Sequence, residues 1–482
     1  MPSENITPRV NDLLLENRDN RRRNGNALST KTITYSISIL VVILIMAIPI
    51  AYTLSEIVMY AYRNNETASK YIGIIINSIN VRALHAPKKA EDVENSLNED
   101  SFTTNTNPES DYLSHHYQPP SAKCNKRIVG YYTDWEPRKI SAKQLQKLTH
   151  LIFTNVPMNS SGHVFFENLA QRRRFLEINR KAQLMNVKVM FSIGGHKNAE
   201  HYSTVVADST KRSVFIDSIV SFIKSNNASG VDLFWEWPNI SEMNDFITTI
   251  KELRKKLAAL TKAQPKGTRY LLSIIVPSSP SDLEYYLRMD GLLHYVDFLN
   301  VLTYGYYAPW SGVNGKFVGP NAPLYGGNRE NVDETMQYLI CKTRTPSKLN
   351  MALSFYGRYW ENVNDNVPDE MFKEADLING KAQGMFVAWK NLAGRGWDKS
   401  EALWHEETQI PYIWNSEERK FFVFENERSL QAKMDYAADH NIGGVYIWAL
   451  GADDNNDTLL NVVSSADLCE GGSGNTLISL CG

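Results

Sequence analysis

The chain has 482 residues, 51 basic and 53 acidic, with a formal net charge of -2 at pH 7. This length can bury a large core, and the near balance of charge gives no overall bias toward nucleic acid or acidic partners. Its four cysteines, Cys124, Cys341, Cys469 and Cys481, are too few for a disulfide-dense scaffold and show no CxxC spacing. No metal and no cofactor is therefore expected, and three disulfide pairings stay open.

The first element is TITYSISILVVILIMAIPIAYTLS, Thr32 to Ser55, which carries no charged side chain. It meets the roughly 20 apolar residues needed to cross a bilayer and exceeds the h-region of a cleaved signal. Arg18, Arg21, Arg22, Arg23 and Lys31 precede it, whereas only Arg63 and Lys70 follow closely, so residues 1–31 should form a cytoplasmic tail. The expectation is a single-pass type II membrane protein, with residues beyond 55 lumenal or extracellular. On that side lie the sequons at Asn65, Asn159, Asn227, Asn239 and Asn456, and all four cysteines, for which disulfides are then plausible. Residues 56–123 read as a juxtamembrane stem and disordered stalk, because KKAEDVENSLNEDSFTTNTNPES lacks any apolar period.

From about residue 124 to 470, apolar runs alternate with helical patterns. The runs are RIVGYYTDW, HLIFTNVPM, KVMFSIGG, GVDLFWEWP, RYLLSIIVPS, VDFLNVLTYGYY, LNMALSFYGRYW and GGVYIWALGADD. Between them, sets such as Phe215, Ile219, Phe222, Ile223 and Phe246, Ile250, Leu253, Leu257 recur at helical spacing. Strands that are apolar on both faces belong in a parallel sheet, and eight of them predict a (β/α)8 barrel rather than a doubly wound sheet. The long interval before the last run predicts a small α+β insertion at about 361–430, and 471–482 reads as a C-terminal tail.

In such a barrel the carboxyl ends of the strands carry the site. Those ends hold Tyr131, Trp135, Glu236, Trp237, Tyr304, Trp310, Tyr356, Arg358 and Trp448, a set of aromatic faces and polar groups suited to pyranose rings. Within GVDLFWEWP, a period of two puts Asp232, Phe234 and Glu236 on one face. That stretch resembles the D-G-x-D-x-D-W-E-[YW]-P signature of glycoside hydrolase family 18, the chitinases and chitinase-like lectins. Gly230, Asp232, Trp235, Glu236, Trp237 and Pro238 match it, and SIGG (192–195), YGR (356–358) and GGVYIWALGADD are similar to further family strands.

The resemblance implies a retaining hydrolysis in which the substrate's acetamido oxygen is the nucleophile. It gives Glu236 the role of general acid, and an aspartate two residues earlier the role of stabilising the positive intermediate. Phe234 holds that aspartate's place. Ser229 replaces the first aspartate of the signature, Gly305 in LTYG replaces the aspartate of M-x-Y-D, and His196 follows SIGG where tryptophan is common. Asp232 is the second candidate catalytic residue, the carboxylate that could take over the stabilising role, although it lies about one pleat deeper than the missing group. The resemblance also implies sugar contacts at Tyr131, Trp135, Tyr304, Trp310, Tyr356 and Arg358, with Trp448 as the floor of the central subsite. The expectation is a membrane-anchored, catalytically impaired chitinase-like protein that binds chitin or an N-acetylglucosamine-containing glycan; an anchored barrel of this kind resembles the expanded nematode chitinase-like group. Two alternatives are a weakly active chitinase using Glu236 and a protein-interaction platform without sugar binding.

Overall fold

The computed structural model describes residues 126–469 and Cys481, apart from short gaps at 137, 196–198, 265–268, 280–282, 284–291, 311 and 366–368. The expected membrane span at 32–55, the tail and stalk around it, Asn65, Cys124, His196 and most of 471–482 lie outside the described residues. Among the described residues, no helix is long and apolar enough to cross a membrane.

Seven of the apolar runs become β1 (Arg127–Thr133), β2 (His150–Val156), β3 (Lys188–Gly194), β4 (Gly230–Phe234), β5 (Leu271–Val276), β6 (Phe298–Val301) and β7 (Leu349–Ser354). The last run supplies a closing strand, Gly444–Trp448, which pairs in parallel with both β1 and β7. The result is a closed barrel of eight parallel strands, the (β/α)8 architecture that buried strands with helical crossovers favour.

Alternation along each strand divides the apolar residues into two cores. Val129, Ile152, Met190, Phe234, Phe298 and Tyr446 pack inside the barrel. Phe153, Phe191, Val231, Leu233 and Ile447 point outward against the helices. Both predicted helical patterns form: Ser209–Asn226 buries Phe215, Ile219, Phe222 and Ile223, and Met243–Lys262 buries Phe246, Ile250, Leu253 and Leu257. Asp208 caps the first of these by accepting from the Thr210 and Lys211 amides, and Asn227 ends it in the left-handed region at φ 50°.

LNMALSFYGRYW is not one strand. It breaks at Phe355, whose amide donates to the Trp448 carbonyl at 2.8 Å while its own carbonyl accepts from the Trp389 amide at 3.1 Å. The second half, β8 (Tyr356–Trp360), belongs to a five-stranded antiparallel sheet with 384–388, 403–405, 410–415 and 420–423. The insertion therefore starts before 361. From Tyr356 to Val423 its described residues hold strands and short 3-10 turns but no α-helix; the next helix, Glu427–Asp439, begins at the end of the expected interval. A disulfide joins Cys341, in the helix Val332–Thr343, to Cys481, with Cα atoms 5.3 Å apart across a sequence separation of 140.

Candidate active site

β4 delivers Asp232 and Phe234 to the barrel interior and sends Leu233 and Trp235 outward, where Trp235 stacks on Tyr202 at 5.1 Å. The strand ends at Phe234, so Glu236 sits on the segment just past it and is half-buried. Of the three residues, Asp232 and Phe234 share the strand, and Glu236 lies beyond its end.

Asp232 is fully buried and accepts four hydrogen bonds: from Tyr131 Oη at 2.9 Å, Ser192 Oγ at 2.8 Å, Ser273 Oγ at 2.6 Å and Asn300 Nδ2 at 3.3 Å. Burial pushes its pKa up, and the four donors act against that rise. Asn300 Nδ2 also donates to Tyr131 Oη at 3.0 Å, its Oδ1 accepts from Asn350 Nδ2 at 2.9 Å, and Asn350 Oδ1 accepts from Arg127 Nε at 2.8 Å. A polar spine thus crosses the barrel interior from Asp232 to Arg127 at the start of β1. Both Asp232 oxygens are already occupied, which ties the carboxylate to the scaffold rather than to the mouth.

Tyr131, expected to touch sugar, is fully buried and serves this spine instead. Burial and then the Asp232 charge hold its hydroxyl well above the ordinary tyrosine pKa. Ser273, Asn300 and Asn350 were not singled out in the sequence, and Ser192 was named only as part of SIGG. Their signal was present nonetheless: each is a polar residue at an inward, alternating position of an apolar strand.

Phe234 is 4% exposed and meets Trp448 edge-on, with centroids 6.1 Å apart at 90°. Trp448 also packs against Tyr131 at 5.4 Å. Tyr304 is half-buried beside Tyr356 (5.9 Å) and Tyr446 (6.4 Å). Burial is the main cause of its raised pKa, with smaller contributions from Tyr446, Tyr356 and the Glu236 charge, which places the carboxylate of Glu236 within electrostatic reach of that hydroxyl. Of the aromatics expected at the site, Trp135 (63%), Trp310 (40%) and Trp237 (37%) are exposed.

A cleft of about 500 Å3 opens between the barrel mouth and the insertion. Trp135 and Glu136 after β1, Tyr356 and Arg358 on β8, Lys390 in the insertion and Trp448 on the closing strand all line it. Trp237, Tyr304 and Trp310 stand outside this lining. Glu136 accepts from Lys390 Nζ at 3.0 and 3.2 Å, so the two charges compensate. Neither residue, nor the exposed Phe386 also in the lining, was anticipated. Among the sequons, Asn227, Asn239 and Asn456 are exposed and Asn159 is half-buried. No metal-binding cluster of His, Cys, Asp or Glu occurs among the described residues.

The model of the family Glycosyl hydrolases family 18 matches residues 127–453, from the first barrel strand to just past the closing one. The chain belongs to this family. Among similar proteins are the Probable endochitinase of Caenorhabditis elegans, 24% identical over 356 residues covering 68% of this chain and 56% of that protein, and the Sporulation-specific chitinase 2 of Saccharomyces cerevisiae, 27% identical over 316 residues covering 61% and 58%. The chain spans a little over half the length of these two relatives. Human Chitinase-3-like protein 2 is 24% identical over 350 residues, covering 68% of this chain and 87% of that protein. The Ostrinia furnacalis Group IV chitinase, solved in complex with allosamidin, superposes with a TM-score of 0.59 at 23% identity, covering 74% of this chain and 99% of that one. YKL-39, solved in the presence of chitooligosaccharides, superposes at 0.60 and 21% identity, covering 74% and 99%. At these identities the likeness bears on the family 18 fold alone.

Proposed function

We propose that this family 18 chain is a chitinase-like glycan-binding protein with impaired hydrolysis, held at a membrane by the 32–55 segment with its barrel lumenal or extracellular. The observation that carries the reading is Phe234. Its ring fills the inward position between Asp232 and Glu236 and packs on Trp448, where family hydrolysis calls for a carboxylate. Losing a preorganised electrostatic stabiliser costs about 2.7 to 4 kcal/mol, roughly 10²- to 10³-fold in rate. Asp232 offers no replacement, since its four hydrogen bonds hold it one pleat below. The aromatic faces of Trp135, Tyr356 and Trp448 remain around the cleft, and they support binding of an N-acetylglucosamine-containing oligomer by stacking.

Calorimetry of the full chain with a chito-tetraose is expected to show binding that Trp448→Ala weakens by about tenfold or more. A reducing-end assay on the same material should show at most trace turnover, and any trace should vanish in Glu236→Gln. Turnover at a rate typical of active chitinases overturns the impaired reading, and absence of binding points to the interaction-platform alternative. For the anchored topology, removal of N-glycans from the chain made in eukaryotic cells should shift its mobility, because Asn159, Asn227, Asn239 and Asn456 then lie in the secretory lumen. An unshifted chain that extracts without detergent speaks against it.

A further inference from the structure

Among the described residues that line the cleft, Arg358 is the charge without an ionic partner. Its Nε donates to Asn321 Oδ1 at 3.0 Å and its guanidinium lies 5.4 Å from the Tyr356 ring centroid, both uncharged partners. Among the described residues no carboxylate lies within ion-pairing distance of it. Asn321 is fixed in turn, because its Nδ2 donates to Ser354 Oγ at 3.0 Å.

The neighbouring position is open. The Gly305 amide donates to the carbonyl of the same Asn321 at 2.7 Å, so Gly305 and Arg358 flank one residue. A Cβ added at Gly305 would meet no atom within 4 Å. Here LTYG departs from the M-x-Y-D pattern: where that pattern has a carboxylate, Gly305 leaves room for a Cβ, and it shares Asn321 as a hydrogen-bond partner with Arg358. The other charges of the cleft, Glu136 and Lys390, cancel each other.

We propose that the cleft takes an acidic glycan, in which an N-acetylhexosamine is joined to a sugar bearing a carboxylate, and that Arg358 receives that carboxylate. An arginine fork suits a carboxylate in a bidentate, charge-assisted contact, and a cleft whose one charge without an ionic partner is a cation favours acidic over cationic, deacetylated chains. This inference rests on the glycan-binding reading above and narrows its ligand class.

The test uses the full chain in detergent with three probes: a hyaluronan tetrasaccharide, the same tetrasaccharide with its carboxylates reduced to alcohols, and a chito-tetraose. The expected result is that the carboxylate form binds about tenfold or more tightly than its reduced twin, a margin typical of one charged hydrogen-bonding contact, and that the margin shrinks with added salt. In Arg358→Gln the ratio of the two affinities should fall to near one. Gly305→Asp should lower it as well, by supplying a competing carboxylate at a left-handed position (φ 81°) that aspartate tolerates better than most residues. Thermal melting of both variants reports folding, and the ratio in either folded variant suffices. Equal affinity for the acidic and reduced forms while chito-tetraose still binds overturns this inference and leaves the glycan-binding reading standing. Failure to bind any of the three overturns both.

Discussion

Phe234 and Asp232 are two residues apart on one inward face, and their environments decide what a reversion can do. Phe234→Asp places a second carboxylate in an apolar setting next to Trp448 and close to a carboxylate that already has four donors. Burial and like charge both disfavour its ionisation. We expect the variant to gain hydrolysis of chito-oligomers by about tenfold or more, part of what one electrostatic stabiliser supplies, because Gly305 still lacks its carboxylate. It should also melt lower than the parent. The gain is to be read in a reducing-end assay and should disappear in the double variant with Glu236→Gln; no gain in a folded variant removes Phe234 as the cause of impairment. At this scale the sequence revealed residue types better than their surroundings. Tyr131 was legible as an aromatic near a strand end, but whether its ring faces a ligand or the barrel interior depends on depth along the strand, and it proves to be Asp232's partner. Asn300 and Asn350 were overlooked because a lone amide in an apolar run carries no motif, although its inward alternation marks it.

Among the elements, the strands were the most readable, since burial on both faces leaves an unbroken apolar run that few other structures need. The same property hid the break at Phe355: β7 and β8 are both apolar, and composition does not register a change from one sheet to another. The helix Glu427–Asp439 contains a feature the sequence concealed in the same way. Lys433, which reads as a solvated charge, is fully buried and ion-paired with Glu425, whose other oxygen accepts from Ser429 Oγ at 2.7 Å. Burial pushes the lysine's pKa down and the glutamate opposes the shift. Lys433→Met leaves that glutamate buried without its counter-charge, and removing one partner of such a pair costs about 3 to 5 kcal/mol. Denaturant unfolding should show that loss, and Lys433→Met combined with Glu425→Leu should recover most of it. A single variant as stable as the parent contradicts the burial of the pair.

For the whole molecule, two titrating groups at opposite ends of the barrel contribute to the acid response with opposite signs. His150, the first residue of β2, lies edge-on to Phe298 at 5.6 Å, with Nδ1 2.8 Å from Thr149 Oγ1. Burial, with Lys188 and Arg127 nearby, holds its pKa well below the usual 6.5. The folded chain keeps it neutral while the unfolded chain protonates it below about 6.5. Its contribution to stability is therefore complete above that pH and lost as pH falls towards the folded pKa. Asp453, beyond the closing strand, behaves oppositely. Burial raises it to about 6, against hydrogen bonds from the Leu460, Leu459 and Asp454 amides. Its contribution is present at low pH and lost as pH rises from about 3.9, the unfolded value, through about 6. Between pH 6.5 and 4, Asp453→Asn should lose stability on acidification more steeply than the parent and His150→Leu less steeply, as measured by denaturant midpoints. Parallel profiles for all three chains would remove both assignments.

The bond between Cys341 and Cys481 turns everything between them into a covalent ring containing β7, the entire insertion and the closing strand. One backbone cut within that ring cannot release a fragment. A protease that nicks the insertion once leaves a product that migrates as one species in electrophoresis until a thiol is added, so non-reducing gels understate cleavage of this wall of the cleft.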